Sequence, residues 1–183
     1  MAKKSVAKGE FFENRVIVWD KKDAQRIFQS GWLGEIVDER LEISLLEAAL
    51  LIEKGRLEIK KGKKKLSFKK FYKKALEIDP SFNVRYTVYK DLKDRGLPTR
   101  TGFKFGCDFR VYERRVAPKK KGPKAAHEHT KWIVFSVSED YVCSFHELSR
   151  AVRLAHNIRA NMLWAVVDGD NNVTYYEVSY ISP

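Results

Sequence analysis

Tyr112 and His129 flank a cationic run, Arg115-Val116-Ala117-Pro118-Lys119-Lys120-Lys121-Gly122-Pro123-Lys124. A phosphodiester cleaved by its own 2′-hydroxyl needs a base for that hydroxyl and an acid for the departing 5′-oxygen. It also needs positive charge at the crowded phosphate. A phenol, an imidazole and ammonium groups supply all three without a metal. Each residue has a plainer reading as well: a strand tyrosine is commonly a half-buried packing residue, and a loop histidine is commonly solvated. His127 lies close to His129, but His129 directly precedes the apolar segment 132–137 and is the candidate.

The elements that must position these side chains can be read from periodicity. Residues 106–112 alternate, so Asp108, Arg110 and Tyr112 share one face while Phe109 and Val111 share the other. Residues 132–137 read as a buried strand. Two strands joined by the basic loop are expected to be neighbours, which brings phenol and imidazole together. Ser144-x-x-Glu147 is a capping box, and Phe145, Leu148, Val152, Ala155 and Met162 are expected on the core face of the helix it opens. Residues 163–167 form a strand, 168–172 a turn and 173–181 a closing strand.

The first half is small and mixed. Residues 15–19 read as a strand, and Ser44-x-x-Glu47 caps a helix over 45–54 with Gly55 behind it. Residues 57–60 alternate like a strand and run into a basic turn at 61–65. A helix follows over 67–78. Asp79-Pro80 predicts an N-cap with proline at the first position of a helix over 81–95, stopped by Gly96. The predicted class is therefore α+β: a small mixed N-terminal domain, residues 1–80, and a C-terminal domain, residues 81–183, with a mixed sheet flanked by helices. No internal repeat is visible.

Composition bounds the function. Thirty-six Lys and Arg stand against 24 Asp and Glu, a net charge of +12. Such a field concentrates polyanions, and nucleic acid is the commonest; the plainer alternative is the charge-rich surface of a protein from a hot or salty habitat. No apolar run is long enough to span a membrane, and the first residues lack the apolar core of a signal peptide, so a cytoplasmic protein is expected. Two cysteines, Cys107 and Cys143, give no zinc spacing and leave a single bridge open.

Several ordered segments resemble the archaeal tRNA-splicing endonucleases. Residues 106–114, Gly-Cys-Asp-Phe-Arg-Val-Tyr-Glu-Arg, are similar to that family's signature stretch around its catalytic tyrosine. Residues 129–134 resemble the segment of its catalytic histidine, and 152–159 the helix leading to its catalytic lysine. Residues 86–96, the ending 175–183, and in the first half 15–20 and 44–55 also match. The resemblance implies a nuclease-like C-terminal domain with Tyr112 as general base and His129 as general acid. It implies cleavage of precursor tRNA at a bulge-helix-bulge, giving 2′,3′-cyclic phosphate and 5′-hydroxyl ends, with no metal or cofactor.

One position departs from the pattern. Ala160 stands where the family carries its lysine, and no lysine follows Lys131. Retention of Tyr112 and His129 favours an engineered replacement; the rival is a natural subunit that has lost activity. Arg153, seven residues before Ala160, is expected on the same helical face. The resemblance implies that it stacks on a bulge base opposite a planar group from another subunit, and the plainer reading is a solvated arginine. Arg115, Lys119, Lys120, Lys121 and Lys124 are expected to touch phosphates. Asp168-Gly169-Asp170 reads as a hairpin tip; the resemblance implies an acidic loop that enters a basic cleft on a neighbouring subunit, in a homotetramer. Two alternatives remain: a non-catalytic structural subunit of a heteromeric enzyme, and a plain RNA-binding module.

Overall fold

The computed structural model of the chain describes residues 6–102, 106–118 and 129–181. The chain divides into two compact units, Met1–Asn83 and Val84–Pro183. Among the described residues there are five helices and two mixed sheets, an α+β architecture. No helix among them is long and apolar enough to cross a membrane.

In the first unit, β1 (Ala7–Phe12) and β2 (Arg15–Val18) form a hairpin, and Asp20 caps α1 (Lys21–Gln29) by accepting from the Asp23 N–H. β3 (Glu35–Val37) and β4 (Arg40–Ser44) extend the sheet on the β2 side, and α2 (Leu45–Glu53) follows directly. β5 (Leu57–Lys61) lies parallel to β1 and turns back into β6 (Lys64–Leu66). The sheet order is β3-β4-β2-β1-β5-β6. α3 (Phe68–Ile78) completes this unit's regular elements, and the unit boundary falls inside α4 (Phe82–Asp94).

The capping box that the sequence predicts at Ser44 forms in full. Its Glu47 carboxylate is buried and accepts from the Ser44 N–H and hydroxyl and from the Gly34 N–H, each at 2.8 Å. A buried carboxylate is costly unless its lone pairs are filled, and three donors fill them. The box thus ties the helix start to the β3 approach. Residues Leu45 to Leu51 are all buried, so this helix is the unit's core rather than an amphipathic cover.

Two local expectations change. The basic segment 61–65 is a hairpin whose arms are both strand, because Lys61 pairs with Lys64 and only Gly62-Lys63 form the turn. Asp79 ends α3 rather than capping α4: its carboxylate takes the Ser81 N–H and its carbonyl the Phe82 N–H, which leaves Pro80 in a turn.

In the second unit, β7 (Thr99–Thr101), β8 (Phe109–Val111), β9 (Trp132–Ser138), β10 (Asn161–Val167) and β11 (Val173–Val178) form a sheet of order β11-β10-β9-β8-β7. β9 and β10 are parallel, and α5 (Phe145–Asn157) is the crossover between them. Its buried face is Ala151, Val152 and Ala155, with Leu148 partly buried, packed on Ile133, Met162 and Trp164. Two residues expected on that face are elsewhere. Phe145 is the first helical residue and is 89% exposed, while Met162 belongs to β10. The second capping box forms by half: Ser144 accepts from the Glu147 N–H, but the Glu147 carboxylate takes the Tyr141 hydroxyl. Cys107 and Cys143 are free thiols, so the bridge left open by the sequence is not made.

Candidate functional site

β8 and β9 are antiparallel neighbours, with Val111 opposite Trp132, and the Lys131 N–H donates to the Val111 carbonyl at 2.9 Å. The end of β8 and the start of β9 therefore lie side by side. β10 begins in the same place: Asn161 is opposite Trp132, and its N–H donates to the Lys131 carbonyl at 2.8 Å. Tyr112 follows β8, His129 precedes β9 and Ala160 precedes β10, so the pairing gathers all three segments at one end of the sheet.

The three residues differ in environment. His129 is exposed. Tyr112 is 1% exposed, although its strand neighbours Asp108 and Arg110 are only partly covered. β8 stops at Val111, and the Tyr112 N–H turns to the Pro98 carbonyl at 3.0 Å. Beyond the strand end the two-residue alternation no longer assigns faces.

Ala160 does not continue α5. The helix ends at Asn157, the Arg159 N–H returns to the His156 carbonyl at 3.0 Å and the Ala160 N–H to the Ala155 carbonyl at 2.9 Å. This is a Schellman ending, with Arg159 in the left-handed region at φ 56° where glycine is usual. The two-turn argument that put Arg153 and Ala160 on one helical face therefore does not apply. They line two pockets that share His156 and Tyr180. Arg153 is exposed on an open groove of about 730 Å³ that also borders His156 and Tyr180. The same two residues border a smaller pocket, of about 230 Å³, lined by Ala160, Asn161 and Met162. The rings of His156 and Tyr180 are 5.3 Å apart. Ala160 itself is 8% exposed and packs in the core cluster with Ala155 and Met162.

This sheet end also carries a polar set that periodicity does not single out. Lys131 pairs with Glu113 at 2.5 Å and lies 4.7 Å over the Trp132 ring. Glu177 on β11 accepts from the Asn161 amide at 2.9 Å and from the Trp132 indole at 3.4 Å. Adjacency to Tyr112 was the available signal for Glu113; nothing in local spacing points to Glu177, which arrives from 16 residues beyond Asn161.

Arg115 is exposed with φ 68°. Lys119, Lys120, Lys121, Lys124 and His127 lie outside the described residues. Asp168 and Asp170 stand at the far end of β10, roughly 25 Å from Ala160 at the usual strand rise. The Asp168 carboxylate accepts from the Asn172 and Asp170 N–H groups and the Asn172 amide. These bonds, the Asn172 N–H foremost, hold its carboxyl below the ordinary carboxylate range. Asp168 therefore builds the turn, whereas Asp170 is exposed. The Gly169 N–H is anchored to Glu139 at 2.8 Å.

Comparison with known proteins adds an independent line. Residues 7–72 match the family described as tRNA intron endonuclease, N-terminal domain, and residues 82–175 the family described as tRNA intron endonuclease, catalytic C-terminal domain. The chain is 38% identical to a tRNA-splicing endonuclease of Thermococcus kodakarensis over 168 residues, 92% of this chain and 94% of that protein. It is 38% identical to one from Nanoarchaeum equitans over 175 residues, covering 96% and 99%. A tRNA-splicing endonuclease of Methanococcoides burtonii is 37% identical over 94% of this chain, a match that covers 48% of the longer protein.

Proposed function

The chain belongs to the tRNA intron endonuclease family, and from that premise we infer that it is a subunit of a tRNA-splicing endonuclease removing introns from precursor tRNA in the cytoplasm. The observation that supports the site is the shared sheet end: Tyr112 follows β8, His129 precedes β9 and position 160 precedes β10, and these strand ends pair side by side. In the reaction implied by the family resemblance, the 2′-hydroxyl beside the scissile bond attacks the phosphorus and the 5′-oxygen leaves. Tyr112 takes the proton from the attacking hydroxyl and His129 gives one to the leaving oxygen. An ammonium at position 160 offsets charge on the crowded phosphate. The products are a 2′,3′-cyclic phosphate and a 5′-hydroxyl, formed without a metal, at a bulge-helix-bulge. Arg153 stacks on a bulge base, and the basic loop from Arg115 to Lys124 holds phosphates.

Alanine at position 160 makes this copy a disarmed one. The pocket of about 230 Å³ beside Ala160 can receive a longer side chain, so Ala160→Lys tests the reading directly. With a bulge-helix-bulge RNA and no added metal, the parent chain is expected to bind without cutting, and Ala160→Lys to cut and leave cyclic-phosphate ends. Removal of a charge-stabilising group of this kind costs roughly 10²- to 10³-fold in rate, which sets the scale of the recovery.

A second reading has its own support. Tyr112 is enclosed and position 160 has no cation, as befits a structural subunit that scaffolds another, catalytic chain. In that case Ala160→Lys binds RNA and still does not cut, while addition of a chain with the complete triad restores cleavage.

A further inference from the structure

The positive charge of this chain is concentrated. Eleven of its 36 Lys and Arg fall between Lys54 and Lys74, where Glu58 is the sole acid, so 21 residues hold most of the net +12. This stretch folds as the β5–β6 hairpin and most of α3, wholly within the N-terminal unit, whereas the residues assigned to cleavage belong to the other unit.

The local arrangement sets like charges against each other. Lys60 is paired across the hairpin with Lys65, and Lys61 with Lys64. On α3, Lys69 and Lys73, and Lys70 and Lys74, are each one turn apart, while Phe71 and Ala75 are the buried positions. Like charges directly opposite in a sheet or four apart on a helix oppose folding. A glutamate at any of these positions would turn repulsion into attraction. Compensation is sparse: Lys65 pairs with Glu58 at 2.7 Å, and Lys61 lies 5.4 Å over the Phe11 ring. Among the described residues no carboxylate pairs with the other lysines of the hairpin and of α3. The Glu58 carboxyl is held below its ordinary range by Lys65 first, and also by Lys8 and Lys60, so even this acid sits in a positive field. A charge-rich surface that serves solubility alone mixes both signs; a surface of one sign matches a polyanion.

We propose that the β5–β6 hairpin and α3 form a second RNA-binding surface, made of residues other than those assigned to cleavage, which holds the phosphodiester backbone of the precursor tRNA. The proposal rests on the reading of the chain as a precursor-tRNA enzyme. Lysines act there as point charges on long stems, without the planar fork that reads a base edge. The contact is therefore insensitive to sequence and strongly sensitive to salt. It takes exon and intron backbone alike.

The test uses the full chain and a variant with Lys63→Gln, Lys64→Gln, Lys69→Gln, Lys70→Gln and Lys73→Gln. Each is titrated against an intron-containing precursor tRNA and the matching mature tRNA from about 50 to 200 mM salt. The variant is expected to bind both RNAs at least tenfold more weakly at the low end. Its slope of log affinity against log salt should fall by about 3.5 to 4.5, given about 0.7 to 0.9 for each of five lost phosphate contacts. Arginine at the same five positions should retain affinity and slope, and the melting temperature of the glutamine variant should not fall. Unchanged affinity and slope in the glutamine variant overturn the proposal while leaving the enzyme reading intact. So does unchanged RNA binding with a smaller assembly by sedimentation, which would assign the surface to an acidic segment of a second copy. A parent chain that binds neither RNA removes reading and proposal together.

Discussion

Cys107 is a free thiol enclosed by its own unit, and its chemistry follows from that enclosure. Its Sγ lies 3.6 Å from the Gly102 carbonyl oxygen and 3.5 Å from that of Phe109, a weak donor between two acceptors. Burial, with the Asp108 charge behind it, pushes the thiol from an ordinary 9.0 up to about 11. The folded state thus holds the proton more tightly than the unfolded one. This contribution to stability is complete below pH 9 and is lost as pH rises through about 11. Two pKa units correspond to about 2 to 3 kcal/mol. Urea denaturation at intervals across that range should show the loss in the parent, and a smaller loss in Cys107→Ala. Exposed Cys143 should take up a thiol reagent in the native protein, and Cys107 only after unfolding. Single residues were legible in the sequence by type but not by surroundings. Tyr112 stands out as a phenol beside a cationic loop; the turn of its N–H to the Pro98 carbonyl follows from no spacing rule.

Elements were most legible where a local hydrogen bond defines them. Ser44 and Glu47 announce α2 because both halves of the box are made within four residues, whereas at Ser144 a competing partner, Tyr141, takes the second half. β6 is silent in the sequence because a strand of Lys-Lys-Leu has no alternation to read; only its register with β5 defines it. The end of α5 is hidden in the sequence for a related reason. α2 and α4 close on the same six-residue return as α5, from Arg56 to Leu51 and from Leu97 to Leu92, with Gly55 and Gly96 at the left-handed position. Glycine marks those two ends in the sequence. Arg159 gives no such mark, so in the sequence the helical pattern reads on to Ala160. A residue with a Cβ is disfavoured in the left-handed region. Arg159→Gly is expected to raise stability by about 0.5 to 1 kcal/mol, read as a higher urea midpoint with an unchanged denaturant slope. If stability falls instead, the arginine side chain makes a contact that outweighs the backbone cost.

For the molecule as a whole, net charge pointed to a polyanion from composition alone, but not to where that charge is gathered. The acidic turn at 168–172 shows the same limit. Asp-Gly predicts a hairpin tip, and the tip is there, yet the sequence does not distinguish the carboxylate that builds it from the one left over. Asp168 holds the turn; Asp170 is available to a neighbour. If the chain forms a tetramer whose subunits are joined by opposite charges, Asp170→Asn should lower the assembly mass towards a dimer in sedimentation, most visibly as salt is raised, with little change in melting. A mass that does not change removes Asp170 from the interface. The parallel pair of β1 with β5 also orders events in time. Ala7 pairs with Leu57, fifty positions further along, whereas the β1–β2 hairpin closes over a handful of residues. On a ribosome the hairpin can form as soon as it emerges, but β1 keeps one open edge until β5 has been synthesised. Long-range parallel pairing is intrinsically slow, so for that interval the nascent chain exposes a strand edge to any neighbour able to pair with it.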